Sequence, residues 1–194
     1  MEEKLDRLYK ECVKELKNIG IDINNTNVIG NIDIKIARRN CKRYGCCKQE
    51  EPDVSTKSIT KRGRTIIVKY DVFKKHHIEI SKWVLELDDK IIKNTIMHEL
   101  IHCMPYCSNH GAKFKMYAKY INEKLGYDIS TVGNKKLDYE KSNLKYDETK
   151  HTNYKYKVVC KKCGQEFFRQ RIKSNFTRKY KCGKCGGKFQ IFEL

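Results

Sequence analysis

The most constraining feature of the chain is the run His98-Glu99-Leu100-Ile101-His102. Two histidines four residues apart share a face on an α-helix, where that spacing is about one turn. The flanks agree with a helix. Ile92, Ile96 and Leu100 recur every fourth residue, Asp88 or Asp89 can cap a start near Lys90, and Pro105 stops it. Both imidazoles can then approach one zinc ion at about 2.0–2.1 Å, while Glu99 points slightly around the helix toward the attacking water. Zinc lowers the pKa of such a water toward ~7, and a neighbouring carboxylate can take its proton. A zinc-dependent hydrolase is expected, with Glu99 as general base.

A catalytic zinc usually has three protein ligands and one open position. His110 is the leading third ligand. Pro105 turns the chain back, seven residues separate His102 from His110, and Gly111 allows a tight backbone there. Alternatively His110 simply caps the next helix, and Cys103 and Cys107 are rival ligands. His76, His77 and His151 carry no positional argument. The next helix spans Ala112 to Leu125, with Phe114, Tyr117, Ala118 and Ile121 on one face and Gly126 closing it.

Upstream, Leu5, Leu8, Tyr9, Cys12, Val13 and Leu16 predict an amphipathic helix over Glu2 to Ile19, with Gly20 as C-cap. Ile32, Ile34 and Ile36 alternate with polar residues as in a half-buried strand. Thr65 to Tyr70 and His77 to Leu87 are β-rich, and Gly45 is read as a turn. Cys41, Cys46 and Cys47 are unexplained. They are read either as buried thiols or as partners of Cys103 or Cys107 in another metal or redox site.

Cys160-Lys-Lys-Cys163 and Cys182-Gly-Lys-Cys185 are separated by 18 residues, a spacing typical of zinc knuckles. Four thiolates would close a tetrahedral shell, which makes the site structural. Two zinc ions are therefore expected, one catalytic and one structural. About 40 residues bury too little apolar area to fold alone, so zinc should supply much of this ribbon's stability. The organisation predicted is residues 1–126 as the catalytic domain, 127–153 as a polar linker and 154–194 as the zinc ribbon.

The 194 residues carry 42 Lys and Arg against 24 Asp and Glu, a net charge of +18. The excess is concentrated: His151 to Leu194 holds twelve basic and two acidic residues. Such a patch suits a polyanion. Between the knuckles, Phe167, Phe168, Phe176 and Tyr180 interleave with Arg169, Arg171, Lys173, Arg178 and Lys179. Some of these rings must fill the ribbon's thin core. Others are free to stack on bases while the cations meet phosphates. No stretch has membrane-spanning or signal-peptide character, so a cytoplasmic or nucleoid- or nucleus-associated protein is expected, with no membrane partner.

The order of elements and the residues His98, Glu99, His102, His110, Gly111 and Phe114, followed by a CxxC…CxxC module, resemble the SprT-like (Spartan-related) zinc metalloprotease family. The resemblance covers most of Met1 to Leu125 and is specific at the motif. It implies an α+β chain, a minimal zincin-like domain of helices and a small β-sheet, followed by a small β zinc ribbon. It also implies a protein substrate lying extended along a sheet edge, which would be Ile78 to Val84 here. Its DNA-associated members imply action on proteins bound or crosslinked to DNA. The alternatives are a non-catalytic nucleic-acid-binding or transcription-associated zinc protein, and a zinc hydrolase of small amides.

Overall fold

The first helix, α1 (Glu2–Asn18), turns Leu5, Leu8, Cys12 and Leu16 inward on one face, as their spacing predicts. The computed structural model describes residues 1–25, 29–38, 42–146 and 154–194. They form two units, Met1–Tyr146 and Asp147–Leu194, in an α+β architecture.

In the first unit β1 (Asn31–Ala37) runs parallel to β5 (Phe73–Ser81), and β2 (Gly45–Pro52) runs antiparallel to β5, in the order β1-β5-β2. Between β2 and β5 the chain makes a separate two-stranded ribbon, β3 (Ser58–Arg62) and β4 (Thr65–Lys69). Alternation along β5 sends Ile78 and Ile80 into the core, while His77 and Glu79 join charged residues of β1 and β2 on the other face.

Three expectations change here. Gly45 opens a strand instead of forming a turn. The β-rich stretch ends at Ser81, and Lys82–Glu86 is a 3-10 turn that buries Trp83, Val84 and Leu85. Ile78 to Val84 is not a sheet edge, because β5 is the central strand. The free edge beside α2 (Asp89–His102) belongs to β2.

Helix α2 starts where the sequence predicts, with the Asp88 side chain accepting from the Lys90 N–H at 2.8 Å. It is buried on nearly every side: Ile92, Ile96, Met97, Leu100 and Ile101 are all inaccessible. Its neighbours are α1, β2, β5 and α3 (Ala112–Leu125), which leave its first turn, Lys93, Asn94 and the histidine-bearing edge partly open. Gly126 ends α3 in the left-handed conformation, at φ 69°.

The predicted linker begins too early. Ile129 and Tyr139 are buried in the first core, and Lys135–Lys141 forms α4, capped by the Asn134 side chain. The boundary falls after Tyr146. Polarity conceals this, since most of the segment's side chains face water and only two or three anchor it. His151 and Cys41 lie outside the described residues.

The second unit is a three-stranded antiparallel sheet with β6 (Tyr156–Cys160) between β7 (Glu166–Arg169) and β8 (Phe189–Glu193), plus a short helix α5 (Phe176–Lys179). Among its described residues, Val158, Cys160, Cys182 and Phe189 make up the buried core. Half of that core is cysteine. No helix among the described residues is long and apolar enough to cross a membrane.

Candidate metal centre

His98 and His102 lie one turn apart on the exposed edge of α2, and the loop after Pro105 brings His110 back to them. The return is made by Tyr106, at φ 64°, whose N–H donates to the Asp71 carbonyl at 2.8 Å. Gly111, expected to make the tight bend, has ordinary extended backbone at φ −73°.

His110 Nε2 stands 2.9 Å from His98 Nε2 and 3.1 Å from His102 Nε2. The opposite ring nitrogens are held by main-chain carbonyls: His98 Nδ1–H donates to Ser130 O at 3.0 Å and His102 Nδ1–H to Cys107 O at 2.7 Å. Those bonds place lone pairs on Nε2 of both rings. Two lone pairs thus point at His110 Nε2, which as a neutral ring carries at most one proton there, whereas a cation among the three rings satisfies every nitrogen at once. Three nitrogens around a tetrahedral zinc at 2.0–2.1 Å would lie roughly 3.3–3.4 Å apart, close to the spacings found. The donor set fits zinc. Burial, reinforced by the neighbouring rings, pushes the His98 pKa down to about 4, and burial lowers that of His102 as well. Both imidazoles are therefore neutral at physiological pH, as ligation needs.

Phe114, fully buried on α3, underlies this group. Its ring centroid is 4.8 Å from that of His98 and 4.7 Å from those of His102 and His110. Neither cysteine rival joins the histidine group. Cys103 Sγ lies 3.7 Å from Cys47 Sγ, and Cys107 is buried and contributes its carbonyl.

Glu99 sits at the bottom of a cleft of about 680 Å³. It is 5% exposed, and burial pushes its pKa up to about 8 against the opposing pull of the Arg43 charge and the Cys47 N–H. Its closest wall is Gly45 of β2, where any side chain would collide with the carboxylate. On the far wall, the 128–134 strap is held by Asn122 of α3. The Asn122 Oδ1 accepts from the Ile129 N–H at 2.8 Å and its amide donates to the Ile129 carbonyl at 3.1 Å. Tyr44 closes the cleft's end, packed on Trp83 at 4.8 Å and donating to Asp138 of α4.

Gly45, Asn122 and Ser130 were not legible as site residues. Ser130 acts through a carbonyl, which every residue possesses, Gly45 acts through its folded proximity to Glu99, and Asn122 holds a segment that reads as linker.

In the second unit all four cysteine sulfurs lie within 4.8 Å of one another, with Cys160 paired to Cys185 at 3.4 Å and Cys163 to Cys182 at 3.6 Å. N–H groups of Cys163 and Lys162 donate to Cys160 Sγ and lower its pKa. This cluster is compatible with a zinc ribbon. Phe167 and Phe176 turn inward to Phe189, whereas Phe168 and Tyr180 are 44% and 46% exposed. Arg169, Arg171, Lys173, Arg178 and Lys179 are all exposed.

Residues 10–134 match the SprT-like family model. A "Protein SprT-like" of Lactococcus lactis subsp. lactis (strain IL1403) is 33% identical over 112 residues, covering 58% of this chain and 64% of that protein. One from Staphylococcus epidermidis is 30% identical over 135 residues, covering 69% and 79%. One from Bacillus subtilis (strain 168) is 26% identical over 121 residues, covering 59% and 69%. The chain spans just under two thirds of the Lactococcus relative's length and more of the other two.

Proposed function

Since the chain belongs to the SprT-like family, we propose that it is a zinc-dependent metalloendopeptidase acting on proteins associated with or crosslinked to DNA. The observation that carries the reading is the convergence of His98, His102 and His110 beside the buried Glu99 carboxylate in one open cleft. The three imidazoles would hold the catalytic ion. Zinc bound there would supply Lewis acidity, making a water acidic near neutral pH and polarising the scissile carbonyl. Ser130 O and Cys107 O fix the His98 and His102 rings so that each offers Nε2. Glu99 takes the proton of the attacking water and passes it to the leaving amine. Its buried setting suits a base tuned toward neutrality.

The β2 edge lies along the cleft and has no strand beyond it among the described residues, so it suits an extended peptide adding as a further strand beside the Cys47 N–H that faces Glu99. In the second unit the cysteines would hold a structural zinc, and Phe168 and Tyr180 beside the five exposed cations suit single-stranded nucleic acid.

Glu99→Gln is the test. It should retain zinc and fold and lose cleavage of an unstructured protein such as casein by at least a hundredfold. Unchanged cleavage would remove Glu99 from the chemistry, and a zinc-loaded wild type that cleaves nothing would return the chain to a non-catalytic reading. Removing Tyr154 to Leu194 should spare cleavage of a free peptide and weaken DNA-stimulated cleavage.

A further inference from the structure

The β3–β4 ribbon buries almost nothing. From Lys57 to Lys69 every residue except Ile67 is exposed, and the two strands form a sheet of their own. An isolated two-stranded ribbon is marginally stable in water, so sequence this exposed calls for an external reason. Its base is anchored. The Thr56 hydroxyl accepts from the N–H groups of Asp71 and Val72, and the Asp53 N–H donates to the Val72 carbonyl at 2.9 Å.

The tip is built for projection. Arg62 pairs with Thr65 across the two-residue loop Gly63-Arg64, with Gly63 at φ 58° in the first position. That is the II′-type turn, which keeps the strands' natural twist. Pairing places Ile59 opposite Val68 and Lys61 opposite Ile66 on one face, all but Lys61 apolar. Ile59, Ile66 and Val68 are 62%, 66% and 45% exposed. The other face carries Ser58, Thr60, Arg62, Thr65 and Lys69, with the half-buried Ile67 its one apolar member.

Charge distinguishes the ribbon further. Lys57, Lys61, Arg62, Arg64 and Lys69 face no carboxylate between Val54 and Tyr70. None of the five makes an ion pair among the described residues, unlike Lys4, Arg7, Lys48 and Lys93 elsewhere in the unit.

We propose that the β3–β4 ribbon is a second nucleic-acid contact, an arm that enters a groove of duplex DNA with its tip cations against the phosphates. A two-stranded ribbon has the width the major groove admits. Hydroxyl and guanidinium donors on one face suit phosphate and base edges, and the apolar face suits thymine methyls. The inference rests on the DNA-associated reading above and deepens it by assigning a duplex contact within the catalytic unit itself, independent of the cysteine module.

The test uses full-length, zinc-loaded protein and fluorescence anisotropy on a 20-base-pair duplex over a salt series. It compares wild type, a tip variant (Lys61→Gln, Arg62→Gln, Arg64→Gln) and a module variant (Arg169→Gln, Arg171→Gln, Arg178→Gln). Loss of three phosphate contacts should reduce affinity at least tenfold near ~0.1 M salt and flatten the log–log salt slope by about 2–3. Zinc content and melting temperature should stay unchanged, and Arg62→Lys with Arg64→Lys should retain the slope. Wild-type affinity and slope in the tip variant would overturn the arm, as would a tip variant that keeps duplex binding but loses binding to vesicles of anionic phospholipid. If the tip variant is unaffected while the module variant is weakened, the arm alone fails. If wild type binds no duplex, the DNA-associated reading fails with it.

Discussion

Substituting Gly45 by alanine should disable the proposed base while leaving Glu99 itself in the sequence. An alanine Cβ at this position would stand 2.7 Å from Glu99 Oε1, 2.9 Å from Cγ and 3.1 Å from Cδ. Favourable contacts between such atoms begin at about 3.5 Å, so the carboxylate must retreat by roughly 0.5–1 Å. The backbone at Gly45 is not in the left-handed region, so alanine adds no conformational strain there. The side chain that must yield is itself buried and wedged between β2 and α2. Misplacing a reacting group by 1 Å can reduce a rate about a hundredfold. We therefore expect kcat to fall about 10- to 100-fold, equivalent to about 1.4–2.7 kcal/mol of barrier. KM, zinc content and melting temperature should change little. The assay is steady-state cleavage of a fluorogenic casein substrate, with zinc quantified on the same preparation. Wild-type turnover would refute the placement of Glu99 against β2. Turnover lost only in proportion to lost zinc would show that the substitution acts on the ligands instead.

Asn122→Ala should release the strap that presents Ser130 O to His98 and weaken zinc binding about 10- to 100-fold; chelator competition measures this, and an unchanged constant would dismiss the strap as outer support. His76 is buried, and burial lowers its pKa to about 4, so the unfolded chain takes up its proton first on acidification. Its contribution should be intact above pH ~6.5 and lost as pH falls toward ~4, by up to about 3 kcal/mol; denaturation curves of wild type and His76→Leu that stay parallel across this window would contradict it. Cys160→Ser should lower the zinc count from two to one and unfold the second unit while the first retains its melting transition; a count still at two would mean that the sulfurs hold no structural ion.

The metal-centre helix was legible because α2 obeys three local rules at once: an Asp88 cap, a four-residue apolar repeat and a proline stop. The amphipathic α1 and the cysteine knuckles were legible for the same reason, since each is written within one short span. The sheet was not. Ile78 and Ile80 announce a strand, but nothing local says that it pairs with both Gly45–Pro52 and Asn31–Ala37 and so becomes central. The 128–146 segment escaped because its few anchors, Ile129 and Tyr139, are spaced without a period. Their burial depends on Asn122, Trp83 and Tyr44, which are distant in the chain.

The ring of Phe114 touches all three imidazoles at once, from a helix that contributes no ligand. Displacing α3 would therefore tilt the donors in concert. Damage anywhere along that helix should make the centre fail as a block, long before any single histidine is lost.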